Sequence, residues 1–195
     1  VRVRAGGKGK TTLFGVALER KQAGVVLDAL GLLGMRARRW GKADAEHMKT
    51  QVAMRKPDLV VVNFGGNERV DNDLSVGKHK KEIAGLLTLM RAGAPDAACL
   101  VVGPGAHGVK KGGKRIVDPA LATIYEAQRA AAKDAGCGFL DTVALTGGDD
   151  SIERLRKDKL IGADMAHLNH KGHHHVGNLM ADWLLGQYDA WASAK

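Results

Sequence analysis

An α/β fold, with a parallel sheet covered by helices on both faces, is what this 195-residue sequence predicts. Three observations carry that expectation. Short runs of β-branched and aliphatic residues recur between Gly and Pro, as they do in strands buried on both faces. Stretches with apolar residues three and four apart separate the runs, the spacing of one helix face. The two kinds of segment alternate, and alternation favours a parallel sheet over separate strand and helix layers.

The first run is Val25-Val26-Leu27. The second, Leu59-Val60-Val61-Val62, is led in by Lys56-Pro57-Asp58. The third, Cys99-Leu100-Val101-Val102, is closed by Gly103-Pro104-Gly105, and the fourth is Phe139-Leu140. Between them, Ala45, Met48 and Val52 share a helix face. Val76, Ile83, Leu86, Leu87 and Met90 share another, with Ser75 as N-cap and Gly93 as C-cap. Asp118-Pro119 opens a third helix, because proline suits the first helical position. Its stripe is Leu121, Ile124, Tyr125, Gln128, Ala131, Ala132 and Ala135, ended by Gly136. The last helix carries Val176, Leu179, Met180, Trp183, Leu184 and Tyr188.

Residues 1–20 differ. Val1–Arg4 and Thr11–Leu18 read as two strands around a glycine-rich turn, a β-hairpin left from another module. Gly9-Lys10-Thr11 imitates the end of a phosphate loop, but Arg4 stands where that loop needs its first glycine. The domain reading is therefore a hairpin over 1–20 and an α/β domain over 21–195.

Composition narrows the function classes. Apolar residues make up 45%, which excludes disorder as the main state. No apolar run approaches the roughly 18 residues of a membrane span. The net charge of +9 can attract an anionic polymer, but with aromatics at 4% few platforms exist for stacking bases, so nucleic acid is not the expected partner. If the runs at Cys99 and Cys137 are neighbouring parallel strands, both sulfurs lie at one sheet end. A disulfide and two buried thiols then both fit; the former would suit an extracytoplasmic location.

Five histidines fall between His167 and His175. His173, His174 and His175 start the last helix and point in different directions; they read as solvated or partly packed side chains, and no metal site is expected. His167 stands apart, three residues after Asp164. A carboxylate there can accept the imidazole N–H and fix the tautomer, leaving the other nitrogen as a general base. A capping aspartate beside a surface histidine has the same spacing.

Further glycine turns follow two of the runs: Gly31-Leu32-Leu33-Gly34-Met35-Arg36 and Asn63-Phe64-Gly65-Gly66-Asn67-Glu68. Ligand sites of α/β sheets lie at such strand ends. In this order, with Asp164-Met165-Ala166-His167, the blocks resemble those of the SGNH/GDSL hydrolases over roughly residues 20–190. The resemblance implies a flavodoxin-like sheet and a serine esterase. It gives the backbone N–H of Gly34 and the side-chain amide of Asn67 to the oxyanion hole, and His167 and Asp164 to the base and its orienter. No cofactor or metal is implied.

Residues 12–19, 136–141, Gly147-Gly148 and Ser151 are most similar to peptidoglycan O-acetylesterase-like members. In such relatives a β-sandwich module can be inserted between the first and second blocks, and the N-terminal hairpin resembles its tail. The implied substrate is an O-acetylated carbohydrate polymer, acted on in the periplasm or outside the cell.

The sequence also departs from the family pattern. Met35 follows Gly34 where Ala is common, and Asn169 stands where Thr is frequent. The Gly-Asp-Ser block that holds the nucleophile is not in the chain; Ser75, Ser151 and Ser193 are its only serines, and none has that context. Since the chain opens Val1-Arg2-Val3-Arg4, without Met or a signal peptide, it reads as mature, processed or truncated. An upstream segment is expected to complete the sheet and bring the serine. The alternatives are a non-catalytic wall-polymer-binding relative with a decayed site and, last, a basic nucleic-acid binder.

Overall fold

The computed structural model describes residues 4, 6–12 and 18–194. The chain divides into two compact units, residues 1–32 and 33–195. Both arms of the hairpin expected over 1–20 fall largely outside the described residues. The described part of the first unit contains no strand or helix. The strand expected at Val25-Val26-Leu27 is therefore not formed, and Val25 is 97% exposed. A strand is stabilised by its pairing and its buried face, and these residues have neither.

The second unit begins with two helices, α1 (Ala37–Trp40) and α2 (Ala45–Arg55), followed by strand β1 (Leu59–Asn63) and helix α3 (Val76–Arg91). Next come β2 (Ala98–Val102), the hairpin β3 (Gly108–Lys111) and β4 (Lys114–Val117), and α4 (Ala120–Asp134). It ends with β5 (Gly138–Leu140), the short helices α5 (Thr142–Leu145) and α6 (Ser151–Lys157), and α7 (His170–Ser193). Strands β1, β2 and β5 form one parallel sheet in that order. Val61 is paired with Leu100, and Val102 with Leu140.

Alternation along the strands makes two cores. Val60, Val62, Cys99 and Val101 pack with Val52 of α2, Ile83, Leu86 and Leu87 of α3, and Ala131 and Ala132 of α4. On the other face Leu100, Val102 and Leu140 meet Leu145, Met180 and Trp183 of α5 and α7. Helices thus cover both faces, as the sequence predicts.

Local chemistry sets several boundaries. Asp44 and Ser75 cap α2 and α3 by accepting from His47 N and Lys78 N. The stripe of α4 is buried as its spacing requires. Gly93 lies one residue beyond the C-cap, which is Ala92. What Gly93 supplies is a close approach, since a Cβ there would fall 2.5 Å from the Lys49 carbonyl oxygen of α2.

The stripe of α7 is only partly buried. Leu184 and Tyr188 are exposed, together with Leu185 and Trp191. A helix of 24 residues is about 36 Å long and outruns the sheet beneath it. Leu59 and Val61 point to the same sheet face as Leu100, yet remain 43% and 49% exposed.

Cys99 and Cys137 form a disulfide, joining β2 to the residue before β5 across 38 positions. The bridge settles the choice left open by the sequence. Closing a loop of that length stabilises a fold by about 4 kcal/mol in the chain-entropy account. The Cys99→Ala/Cys137→Ala variant should lose roughly 2–4 kcal/mol in denaturant unfolding. Dithiothreitol should shift the wild type in the same direction and leave the variant unmoved.

Candidate active site

The parallel strands end at one rim of the sheet, and the turns after β1 and β2 meet there. Asn63, the last residue of β1, donates its side-chain amide to the carbonyls of Val102 and Gly103. The chain then turns through Phe64-Gly65-Gly66-Asn67. Gly65 is buried with φ +114°, and a Cβ would come 2.7 Å from Ile124 Cγ2, so both conformation and space demand glycine.

One carboxylate joins this turn to the segment after Gly34. Glu68 is 1% exposed. Its Oε2 accepts from Gly65 N at 3.0 Å and its Oε1 from Ala37 N at 2.8 Å. Around it, Asp71 accepts from Arg36 Nε and Arg38 Nη1, each at 3.0 Å. Asn67 donates one amide hydrogen to the Met35 carbonyl at 2.9 Å. That bond fixes the plane of the amide and leaves its second hydrogen available. Gly34 lies in the same segment, exposed, in a turn with φ +69°.

Asp164 and His167 meet. Oδ2 of Asp164 is 2.6 Å from Nδ1 of His167, while Oδ1 accepts from the backbone N–H of Ala166 and of His167. The carboxylate is therefore both turn cap and imidazole partner, so the two meanings of the spacing hold together. A hydrogen bond from the His167 ring, supported by the two amides, holds the Asp164 carboxyl down to about 2. The His167 side chain is 87% exposed, with Nε2 on the side away from Asp164.

The loop bearing this pair is closed at its base. Ile161 and Leu168 form an antiparallel bridge, and Asn169 donates to the carbonyls of Leu160 and Lys159. Asn169 also caps α7 by accepting from Gly172 N, which is what the residue found at the usual threonine position does here. Gly172 lets the helix start touch the Leu160 carbonyl, a contact that any Cβ would block.

His107, which sequence reasoning passed over, links the two halves of the rim. Its ring lies against Gly66, with Nδ1 2.9 Å from the Gly105 carbonyl. Burial lowers its pKa; the bond to Gly105 opposes that, and the nearby charges of Arg69 and His167 add to the lowering. A neutral ring donating Nδ1–H to Gly105 carries a lone pair on Nε2, beside the Asn67 turn. The following residue, Gly108, donates its N–H to Met165 O at 2.7 Å, tying this loop to the Asp164–His167 loop.

The serines lie elsewhere. Ser75 Oγ caps α3, Ser151 is fully buried, and Ser193 Oγ donates to Asp189 O near the end of α7. Of the later histidines, His170 and His174 are in ring contact, one turn apart on α7.

The sequence matches the GDSL-like lipase/acylhydrolase family over residues 3–175. The chain belongs to that family. No curated protein matches it in sequence. Among solved structures it is similar to a peptidoglycan O-acetylesterase, at TM-score 0.71 and 21% identity, covering 80% of this chain and 45% of the other. It is also similar to a carbohydrate esterase family 3 protein from Talaromyces cellulolyticus, at TM-score 0.56 and 16% identity over 80% and 70% of the two chains. A third is Est24, a carbohydrate acetylesterase from Sinorhizobium meliloti, at 0.54 and 16% over 80% and 76%. The parallel sheet flanked by helices is thus that of SGNH hydrolases, and the chain spans less than half of the peptidoglycan O-acetylesterase.

Two outcomes follow from this geometry. Glu68→Ala leaves two buried N–H groups unpaired and should cost about 2–4 kcal/mol in denaturant unfolding. Glu68→Gln should not restore it, because the amide NH₂ would face one of those N–H groups. For Asp164 the folded pKa lies below the ordinary 3.8, so its contribution is present above pH 3.8 and is lost as pH falls through about 2. Carboxyl NMR titration should find Asp164 near 2 in the wild type. In His167→Ala it should move towards 3.8 without reaching it, since the two amide bonds remain.

Proposed function

We propose that this chain carries the base and oxyanion half of a serine esterase that removes O-acyl groups, O-acetyl foremost, from a carbohydrate polymer such as peptidoglycan. The observation that carries this reading is the Asp164–His167 pair, 2.6 Å apart, with the far ring nitrogen open to solvent. His167 is the general base and Asp164 orients it. The Gly34 N–H and the free hydrogen of the Asn67 amide receive the oxyanion.

The nucleophile is a serine on an upstream segment. Two features support that assignment. None of the chain's own serines is placed for the role, and β1 leaves Leu59 and Val61 uncovered at the sheet's edge among the described residues. In the reaction the serine oxygen bonds to the acyl carbon while its proton passes to His167 Nε2. Collapse of the tetrahedral adduct breaks the bond to the sugar oxygen, which takes that proton and leaves as the alcohol. Water then adds to the acyl-enzyme, again giving its proton to His167, and the serine departs with it to release the acid.

The substrate class follows the similar structures, two of which are carbohydrate or peptidoglycan acetylesterases. A periplasmic or secreted site of action accords with that substrate and with the disulfide. In the described residues no helix is long and apolar enough to cross a membrane.

The test uses the chain expressed together with its upstream segment. Hydrolysis of p-nitrophenyl acetate should fall by about 10³-fold or more in His167→Ala and Asp164→Asn. Asn67→Ala should lose about 10²–10³-fold in kcat, the usual effect of removing one oxyanion donor. Full activity in His167→Ala would overturn the assignment. Retention on peptidoglycan with no acetate release by the wild type would instead identify a non-catalytic binding relative.

A further inference from the structure

We infer that the β3–β4 hairpin is a docking arm for an anionic polysaccharide, which it holds beside the candidate active site. The hairpin turns at Gly112-Gly113, where φ is +56° and +76°. Two successive positive φ values make the tight two-residue turn whose twist matches a hairpin. Its strands are four residues each.

The charges on this ribbon are arranged against its own stability. Lys110 is paired with Arg115 and Lys111 with Lys114. Each pair puts two cations directly opposite one another, one pair on each face of the ribbon. Like charges at opposed positions destabilise a strand pair. No acidic residue lies between Lys110 and Arg115. Only Arg115 has a carboxylate within reach, Glu153 at 3.6 Å, and no ion pair reaches Lys110, Lys111 or Lys114 among the described residues. All four side chains are exposed. A polyanion laid on either face would relieve the repulsion there, and one wrapped round the tip would meet both pairs.

The base of the arm fixes where such a polymer would lie. Gly108, which opens the hairpin, donates to Met165 O beside the Asp164–His167 pair. Asp118, just past its end, donates its N–H to His107 O and pairs through its carboxylate with Arg69 of the Asn67 turn. From His107 to Lys110 is roughly 10 Å of strand. A chain bound to the tip therefore passes within a few sugar units of His167. The choice of a carbohydrate polyanion rests on the esterase reading above; the charge arrangement does not. The ribbon has no aromatic residue on which the bases of a single strand could stack.

The experiment compares the wild type with Lys110→Gln/Lys111→Gln/Lys114→Gln, in chain carrying the upstream segment. The probes are polygalacturonate and its fully methyl-esterified, neutral counterpart. The wild type should bind polygalacturonate and not the neutral polymer, with affinity falling as salt rises. The triple variant should bind roughly tenfold more weakly, as expected when several exposed ion pairs are lost together. Its thermal midpoint without polymer should be equal to or above that of the wild type, so a folding defect is separable from a binding one.

Equal binding by wild type and variant, or equal binding of the charged and neutral polymers, would overturn the proposal. Tighter, arm-dependent binding to duplex DNA at the same ionic strength would overturn the glycan assignment. Hydrolysis of p-nitrophenyl acetate should be unchanged in the variant. If the wild type lacks that activity, the esterase reading fails while the binding comparison still decides the role of the arm.

Discussion

The buried carboxylate of Glu68 is the constraint on which the candidate site depends. Two backbone segments that are far apart in sequence, the turn after β1 and the chain after Gly34, have no strand pairing to hold them together. Glu68 takes one N–H from each, and the low dielectric around a group 1% exposed strengthens both bonds. The Asn67–Met35 bond and the two arginines on Asp71 then lock the same junction from outside. The Asn67 amide is thus held in a fixed orientation beside the segment that follows Gly34, the preorganisation by which an oxyanion donor lowers a barrier.

A different device holds the Asp164–His167 loop. It is stitched at its base by backbone bonds, started off α7 by Asn169, and joined to the loop after β2 through Gly108. His107 stands where the two halves approach, its pKa lowered chiefly by burial. The rim is therefore assembled from three separate pieces of chain, each stabilised locally.

Much of this was legible in the sequence, for identifiable reasons. The runs at Cys99 and Phe139 are strands with helices against both faces, whereas the run at Leu59 is buried on one face only, through Val60 and Val62. The spacing of Asp164 and His167 allowed a carboxylate–imidazole contact or a capping aspartate beside a surface histidine, and the structure shows the same carboxylate doing both. The strand at Val25–Leu27 could not be judged that way, because composition describes what a segment can do when paired and not whether a partner is there. The β3–β4 hairpin was missed because lysine and arginine are weak strand formers; the Gly112-Gly113 pair was the available signal. Glu68 and His107 were invisible because their roles come from contacts with Ala37 and Gly66, distant in sequence.

The disulfide has one further effect. Cys99 and Cys137 enclose a covalent ring that contains the whole basic ribbon and its exposed Gly112-Gly113 tip. A protease that cuts at that tip, the kind of site such enzymes favour, would leave the two fragments tied through sulfur. The strands on either side would stay in register, and the rim they support would survive a scission that would otherwise separate β1 and β2 from the loop of Asp164 and His167.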